Sequence, residues 1–270
     1  MISRSEVVGA TVCTLQKAET SLPNWVLKLI ENAMENEANS VARSHLQFML
    51  ENVRIAGDKK LPLCQDTGLP IFHLEVGRDI RLDFDLRDAI AEGVKIATKE
   101  IPLRPNVVDP LTRKNTGDNI GIGMPDIILE SVDGDSLRIT AFPKGAGSEN
   151  MSLVGMLNPA DDPFEFILKS VAEQAANACP PLFLGIGIGG TFDLAARLAK
   201  RALFNMPGSS DLELQLLKRI NALGIGPMGL GGDTTALGVK IETASCHTAS
   251  LPVAINFQCW ANRSATEVIR

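Results

Sequence analysis

Apolar residues recur at three- and four-residue steps through the first 56 residues, and this spacing predicts helices. Ser3 followed by Glu6 has the pattern of a capping box that begins the first helix. Leu22-Pro23 interrupts the pattern, and Ser40 is placed to cap a third helical segment. The N-terminal part of the chain is therefore predicted to be helical.

Beyond residue 70, short apolar runs alternate with further helical patterns. The predicted strands are Ile71–Val76, Asp126–Glu130, Leu137–Phe142, Leu182–Ile188, Ala236–Glu242 and Leu251–Trp260. One predicted helix begins near Asp85 and ends before Pro102. Three more are predicted to span Asp162–Cys179, Thr191–Phe204 and Asp211–Leu223. An Asp133-Gly134 pair between two of the strands predicts a hairpin. This order predicts an α/β fold, a single large domain over residues 1–270 with a helical N-terminal part and mixed sheets flanked by helices.

Composition narrows the classes of protein. The chain has 45% hydrophobic and 21% charged residues, which is ordinary for a globular protein with a sizeable core. Its net charge is −6 with no basic block, which argues against a nucleic-acid partner. No apolar run resembles a signal peptide or a membrane span, so we expect a cytoplasmic protein without a membrane partner. Five cysteines in such a chain indicate metal binding or catalysis rather than a disulfide framework.

The segment Leu61–Pro70 (LPLCQDTGLP) combines loop-forming and reactive residues. Two prolines and a glycine within ten residues predict a loop. Cys64 offers a thiolate, Gln65 an amide and Asp66 a carboxylate, and ordered loops often carry chemistry. The alternative is a turn with a buried cysteine.

Two further segments suggest ligand contacts. Residues 102–125 form a long polar stretch with four prolines, which we interpret as an ordered active-site loop, the alternative being a solvated linker. Pro143–Ser148 contains two glycines whose neighbouring N–H groups could bind an anion, the alternative being a plain surface turn.

Cys64, Cys179 and Cys259 share a context, since each lies at the edge of a predicted element beside Gly, Pro or polar residues. No pair has the close spacing of a zinc ribbon. Three thiolates that converge in space suit an iron–sulfur cluster, and a [4Fe–4S] cluster with three protein ligands keeps one iron open as a Lewis acid. The spacing alone only suggests this site.

A glycine motif offers a rival function. Gly185–Gly190 matches G-x-G-x-x-G after a predicted strand and before a helix, as in a nucleotide-binding oxidoreductase subunit. The second strand of such a fold is missing, because residues 191–223 are predicted to be two helices. The glycines are better explained by close backbone packing or by carboxylate binding at a helix N-terminus. A non-catalytic assembly subunit is a further alternative.

Several separated motifs together resemble the iron–sulfur class I fumarate hydratase and L(+)-tartrate dehydratase family. In the family's order they are Cys64–Gly68 (CQDTG), Asn115–Asn119 (NTGDN), Lys144–Ser148 (KGAGS), Cys179–Pro181 with Gly185–Thr191, and Cys246–Pro252 with Gln258–Ala261. The resemblance is to the alpha subunit, equivalent to the N-terminal domain of one-chain members. It implies a hydro-lyase that adds water to, or removes it from, a small dicarboxylate. Fumarate to L-malate, a step of the tricarboxylic acid cycle, is the main expectation, and an L(+)-tartrate dehydratase alpha subunit is the alternative. It also implies a beta subunit that carries further active-site residues, and hence a hetero-oligomer.

The resemblance assigns Cys64, Cys179 and Cys259 as ligands of a [4Fe–4S] cluster. Cys246 competes with Cys259 for the third place. Cys259 is preferred because the family's ligand follows a short apolar strand, as Ala254–Gln258 does here.

The resemblance also assigns residues that contact the substrate. Gln65 and Asp66 match a pair that faces it, Arg104 a carboxylate-binding arginine, and Gly147 a backbone contact. His247 matches an active-site histidine. Asp66 is the expected base, assisted by His247, unless the beta subunit holds the base.

Overall fold

The computed structural model describes residues 2–270, which begin with three helices and continue as a mixture of β-strands and helices. The helices are α1 (Arg4–Thr20), α2 (Asn24–Asn36), α3 (Ser40–Lys59), α4 (Leu86–Glu100), α5 (Ala146–Glu149), α6 (Pro163–Gln174), α7 (Phe192–Phe204) and α8 (Asp211–Asn221). The strands are β1 (Ile71–Gly77), β2 (Asp126–Val132), β3 (Leu137–Ala141), β4 (Leu153–Leu157), β5 (Leu182–Gly189), β6 (Ala236–Ala244), β7 (Leu251–Gln258) and β8 (Ala265–Ile269). The predicted α/β class, with a helical N-terminal part and mixed sheets flanked by helices, is confirmed. No helix within residues 2–270 is long and apolar enough to cross a membrane.

Contacts between Cα atoms divide the chain into two compact units. The first unit comprises the residues up to Pro23, Glu51–Ala146 and Arg263–Arg270. The second unit comprises Asn24–Leu50 and Gly147–Asn262. Each unit contains one four-stranded sheet, and the single domain over 1–270 stays a prediction.

The first unit is built on the sheet β2-β1-β3-β8. β1 runs parallel to β2 and antiparallel to β3, and β8 extends the sheet antiparallel to β3. The helices α1 and α4 pack on each other, and α1 also contacts β3 and β8. The core between them is aliphatic apart from one aromatic ring, with Val7, Leu15, Phe72, Leu74, Ile90, Leu137 and Ile139 among its buried members.

The predicted hairpin between β2 and β3 is wrong, because β1 lies between these two strands. The connection through Gly134 passes over the end of β1 instead. There the N–H of Asp79 donates to the Gly134 carbonyl at 3.0 Å, and a Cβ on Gly77 would collide with that carbonyl. The Asp-Gly signal thus marks a turn correctly but not the pairing of its neighbours, which is set by where β1 buries its apolar side chains.

The second unit is built on the sheet β4-β7-β5-β6. β5 is central, parallel to β6 and antiparallel to β7. The helix α7 packs on β5 and β7, and α8 packs on β6. The five-residue strands β4 and β8 were not predicted, since each is too short to give a clear alternation.

Several helix ends follow from local chemistry. The capping box of Ser3 and Glu6 is confirmed, and the Asp85 carboxylate caps α4 by accepting from the N–H groups of the first turn. The predicted cap at Ser40 is wrong. Asn39 caps α3, because its Oδ1 accepts from the N–H of Val41 at 2.9 Å.

Candidate active site

The predicted loop Leu61–Pro70 is confirmed, and both sides of its reactive part are anchored. Leu63 is buried, and its N–H donates to the main-chain carbonyl of Glu19 at 2.8 Å. Cys64 and Gln65, which follow, are exposed. Gly68 has φ +74° and passes so close to Lys144 that an added Cβ would lie 2.6 Å from its carbonyl carbon. The loop therefore presents its thiol and amide while its flanks are fixed.

The Asp66 carboxylate is oriented by two backbone donors. Its Oδ1 accepts from the Gly68 N–H at 3.0 Å, and its Oδ2 accepts from the Ala146 N–H at 2.7 Å. The 143–148 segment was predicted to offer N–H groups to an anion, and one of them holds the protein's own carboxylate. Each Asp66 oxygen accepts one of these hydrogen bonds and has a second lone pair for a further partner.

A buried ion pair lies beneath this loop. Arg263 and Glu19 are 1% and 0% exposed, and Nη1 of Arg263 lies 2.7 Å from Oε2 of Glu19. Nη2 of the same guanidinium donates to the main-chain carbonyl of Asp66 at 3.1 Å. Burial raises the pKa of the Glu19 carboxyl to about 7, although Arg263 opposes that shift. This pair could not be predicted from the sequence, because its members are 244 positions apart and carry no local signal.

Arg104 is tied to the same loop through its backbone. Its N–H donates to Oγ1 of Thr67 at 3.1 Å, and its carbonyl accepts from the Asn119 carboxamide at 3.0 Å. The guanidinium is exposed, and it has neither a hydrogen bond nor an ion pair with any residue in 2–270. Asn119 also receives the N–H of Asn106 at 2.7 Å, so the 102–125 segment is held by hydrogen bonds around this point. The first unit thus brings together Cys64, Gln65, Asp66 and Arg104.

Cys179 and Cys259 come together in the second unit. Cys179 follows a 3₁₀ turn in the left-handed region, with φ +57°, and precedes β5. Cys259 directly follows β7, the antiparallel neighbour of β5, in which Gln258 pairs with Phe183. The N–H of Trp260 donates to the Cys179 carbonyl at 3.2 Å. The two cysteines therefore lie at the same edge of the sheet.

Gly147 lies beside this pair of cysteines. A Cβ built on Gly147 would be 4.0 Å from Sγ of Cys179, which is ordinary van der Waals contact. The residue is exposed, so its backbone is accessible next to the thiol.

Cys246 and His247 lie at the other end of β7. Their loop joins β6 to β7, and β7 has eight residues, about 26 Å at ~3.3 Å per residue. Both residues are exposed. Nδ1 of His247 accepts from the Ala249 N–H at 3.1 Å, so the neutral ring carries its proton on Nε2. The second unit does not bring His247 to the edge that carries Cys179 and Cys259.

Three glycines of the rival nucleotide motif, Gly185, Gly187 and Gly189, lie inside the strand β5, and Gly190 follows the strand directly. A Cβ on Gly187 would lie 2.7 Å from the backbone nitrogen of Ala199 in α7. Gly185 meets the carbonyl of Ala199 in the same way. These glycines allow α7 to approach the strand backbone closely, so the motif is explained by packing.

The cysteine donors suit an iron–sulfur group. None of the five cysteines, all within the described part of the chain, forms a disulfide. Thiolates are the usual protein ligands of such clusters. Within either unit, residues 2–270 contain no group of three His, Cys, Asp or Glu side chains arranged to hold a metal ion. The second unit contributes two thiols and the first unit contributes Cys64, so the three-cysteine set stays a prediction.

The sequence is similar to known proteins over nearly its whole length. A sequence profile described as fumarate hydratase (Fumerase) matches residues 9–268. A protein of Methanocaldococcus jannaschii, provisionally named as the alpha subunit of L(+)-tartrate dehydratase, is 47% identical, with 98% of each chain covered. The L(+)-tartrate dehydratase subunit alpha of Escherichia coli O157:H7 is 33% identical over 93% of this chain and 86% of its own. The corresponding subunit of strain K12 is 32% identical with the same coverage.

Proposed function

Because the chain belongs to the fumarate hydratase (Fumerase) family of hydro-lyases, we propose that it is the alpha subunit of an iron–sulfur L(+)-tartrate dehydratase. The family and the hydro-lyase class expected from the motifs are thereby confirmed. The observation that carries the choice of substrate is the naming of relatives at 47% and 33% identity over nearly the whole chain. These names favour the alternative expectation, tartrate, over the main expectation, fumarate.

The substrate is a small dicarboxylate whose negative charges need cationic partners. Arg104 is suited to bind one carboxylate through two parallel N–H donors, because its guanidinium is exposed and has no partner in the described chain. Gln65, which is exposed in the loop 61–70, offers a side-chain amide to the substrate. The exposed backbone of Gly147 provides a further contact.

Removal of water requires a base that takes a proton from carbon. Asp66 is that base: its carboxylate is held in one orientation by the N–H groups of Gly68 and Ala146 and accepts the proton on a remaining lone pair. The hydroxyl leaves from the neighbouring carbon, and the enol that results converts to a 2-oxo dicarboxylate. The alternative is that the partner subunit holds the base.

His247 is proposed to orient substrate or relay a proton through Nε2. This assignment depends on the motif resemblance alone, since the topology puts His247 at the opposite end of β7 from Cys259.

Cys64, Cys179 and Cys259 are the proposed ligands of a [4Fe–4S] cluster. When bound, such a group supplies an open iron as a Lewis acid for the departing hydroxyl. Cys259 is favoured over Cys246, because Cys259 shares a sheet edge with Cys179 and Cys246 lies at the other end of β7. Gly147 leaves the neighbourhood of the Cys179 thiol open.

A beta subunit is the proposed partner, in a hetero-oligomer. The relatives are named as alpha subunits, and this name supports a second polypeptide that completes the enzyme.

The test is a substrate panel with the complex. The chain is co-expressed with its partner, purified without oxygen, and assayed with L(+)-tartrate, fumarate, L-malate and methylfumarate. We expect kcat/KM to be highest for L(+)-tartrate. A complex that holds iron and sulfide but turns over none of these compounds overturns the proposed function.

Hydration of fumarate to L-malate is the second candidate, favoured by the description of the matching family profile. A higher kcat/KM for fumarate than for L(+)-tartrate would assign the chain to this step of the tricarboxylic acid cycle.

A further inference from the structure

We infer that Glu19 and Arg263 are a positioning pair that holds the loop of Cys64, Gln65 and Asp66 in its working conformation without contacting substrate. This inference rests on the proposed function of that loop. Hydrogen bonds join the pair to the loop at Leu63 and at Asp66.

The pair anchors the loop at two points. At the first, the main-chain carbonyl of Glu19 accepts the Leu63 N–H at 2.8 Å. At the second, Nη2 of Arg263 donates to the carbonyl of Asp66 at 3.1 Å. The salt bridge of 2.7 Å between the two side chains joins these anchor points. Cys64 and Gln65, the two residues between the anchors, are therefore fixed from below while their side chains are exposed.

The guanidinium geometry is needed for this arrangement. Nη1 donates to the Glu19 carboxylate and Nη2 donates to the main-chain carbonyl of Asp66. One planar group with separate donors therefore bridges the carboxylate and the loop. Lysine has a single nitrogen at the end of a flexible chain and would not reproduce both directions at once.

Stability does not explain why such a pair is buried. Removing both charges from water is costly, and apolar residues of similar size often serve as well. Moreover, Oε1 of Glu19 is buried and has no hydrogen-bond partner within residues 2–270. Burying a polar oxygen without a partner costs free energy and calls for an explanation. Positioning of the reactive loop gives that explanation.

A small cavity beside the pair makes the loop sensitive to it. The cavity has a volume of about 10 Å³ and is lined by Glu19, Thr67, Gly68 and Asn119, among others. Thr67 and Asn119 also hold the backbone of Arg104. A change at Glu19 is thus transmitted to the residues that place both Asp66 and Arg104.

The experiment compares Glu19→Gln and Arg263→Lys with two matched variants in the same unit, Glu267→Gln and Arg138→Lys. Glu267 pairs with Lys17, and Arg138 pairs with Glu75 at 2.9 Å, so neither control contacts the loop. All chains are produced with the partner subunit. Amide hydrogen exchange is measured for peptides that cover 61–68 and, as an internal reference, β1.

We expect both test variants to accelerate exchange in 61–68 by about tenfold and to leave β1 nearly unchanged, because only local opening is affected. Both controls should match the wild type. Per iron-loaded complex, kcat should fall by about 10²-fold with a much smaller change in KM, as expected for a misplaced reacting group. A merely structural role would instead reduce the amount of folded, iron-loaded complex at an unchanged kcat.

Unchanged exchange in 61–68, or exchange accelerated equally in β1, overturns the inference. If Arg263→Lys does not fold, Glu19→Gln decides, since it preserves the shape of the side chain. If the wild-type complex turns over none of the panel, the proposed function fails, and the exchange comparison still tests the pair.

Discussion

The backbone N–H of Trp260 donates a hydrogen bond of 3.2 Å to the carbonyl oxygen of Cys179. This bond joins the segment after β7 to the segment before β5, where Cys259 and Cys179 lie. The two cysteines, which are 80 positions apart in the sequence, are thus brought together by antiparallel pairing of neighbouring strands. Cys259 and Cys246 lie at opposite ends of β7, so the choice between them as the cluster ligand next to Cys179 can be tested by substitution.

Replacing Cys259 by Ser should remove most of the iron and sulfide from the complex purified without oxygen, because a hard hydroxyl replaces a soft thiolate. Cys246→Ser is the matched control and should retain both, since Cys246 lies at the opposite end of β7. Chemical assay of iron and sulfide gives the answer. Loss of iron from the Cys246 variant alone would reverse the assignment.

Asp66→Asn should lower kcat by about 10²–10⁴-fold while iron content is retained, because an amide cannot take a proton from carbon. Asp109→Asn is the control, since Asp109 also accepts backbone N–H groups, those of Leu111 and Thr112, in a loop turn. Steady-state turnover with the preferred substrate is the measurement. Normal turnover in the Asp66 variant would transfer the base to the partner subunit.

Arg104→Lys should raise KM for the dicarboxylate by about tenfold or more, because lysine loses the two parallel donors. Arg113→Lys, in the same 102–125 loop, should behave as the wild type. The comparison is of KM at constant iron content. Equal KM values in the two variants would exclude Arg104 from carboxylate binding.

Two Gly→Ala substitutions should act in opposite directions on the free energy of unfolding. Gly187→Ala drives a methyl group into the backbone of α7 and should destabilise by about 3 kcal/mol. Gly9→Ala lies in α1, where nothing is within 4 Å of the new Cβ, and should stabilise by about 0.5–1 kcal/mol. Urea unfolding of the chain measures both. A Gly187→Ala chain as stable as the wild type would contradict the close packing of α7 on β5.

Glu19 should make stability depend on pH. Its pKa is about 7 in the folded chain, against an ordinary value of 4.5. As the pH rises, the Glu19 carboxyl therefore loses its proton in the unfolded chain at a lower pH than in the folded chain. The contribution of Glu19 to the free energy of unfolding is fully present below pH 4.5 and declines up to about pH 7. The decline is of the order of 3 kcal/mol, at about 1.4 kcal/mol per pKa unit. Urea midpoints between pH 5 and 8 measure it, and Glu19→Gln should remove this component. The same slope in wild type and variant would assign it to other groups.

Local patterns predicted most elements of the fold, because amphipathic periodicity and caps act within a few residues. The start of α4 near Asp85 and the strand that leads to Cys259 are examples. Pairing was not predictable from such patterns. β1 separates β2 from β3, although the turn between them has a hairpin sequence.

In the candidate site, too, residues in short motifs could be predicted from the sequence, and contacts between distant residues could not. Cys64 and Asp66 could be named from the motif at 64–68, since it is short and contiguous, and Arg104 from the family resemblance. The contact of Arg263 with Glu19 and with the Asp66 carbonyl crosses 244 and 197 positions and has no sequence signal of its own. Which residues hold the reactive loop could therefore be learned only from the structure.

The pairing of β8 with β3 has a consequence for biosynthesis. Thr140 and Thr266 are neighbours across these strands, yet 126 positions separate them, and the residues between include all four strands of the second sheet. While a ribosome synthesises that intervening segment, β3 has an unpaired edge that could join another chain. Closing so long a loop is slow, since distant contacts form late in folding. Nascent chains should accordingly depend on chaperones until β8 emerges.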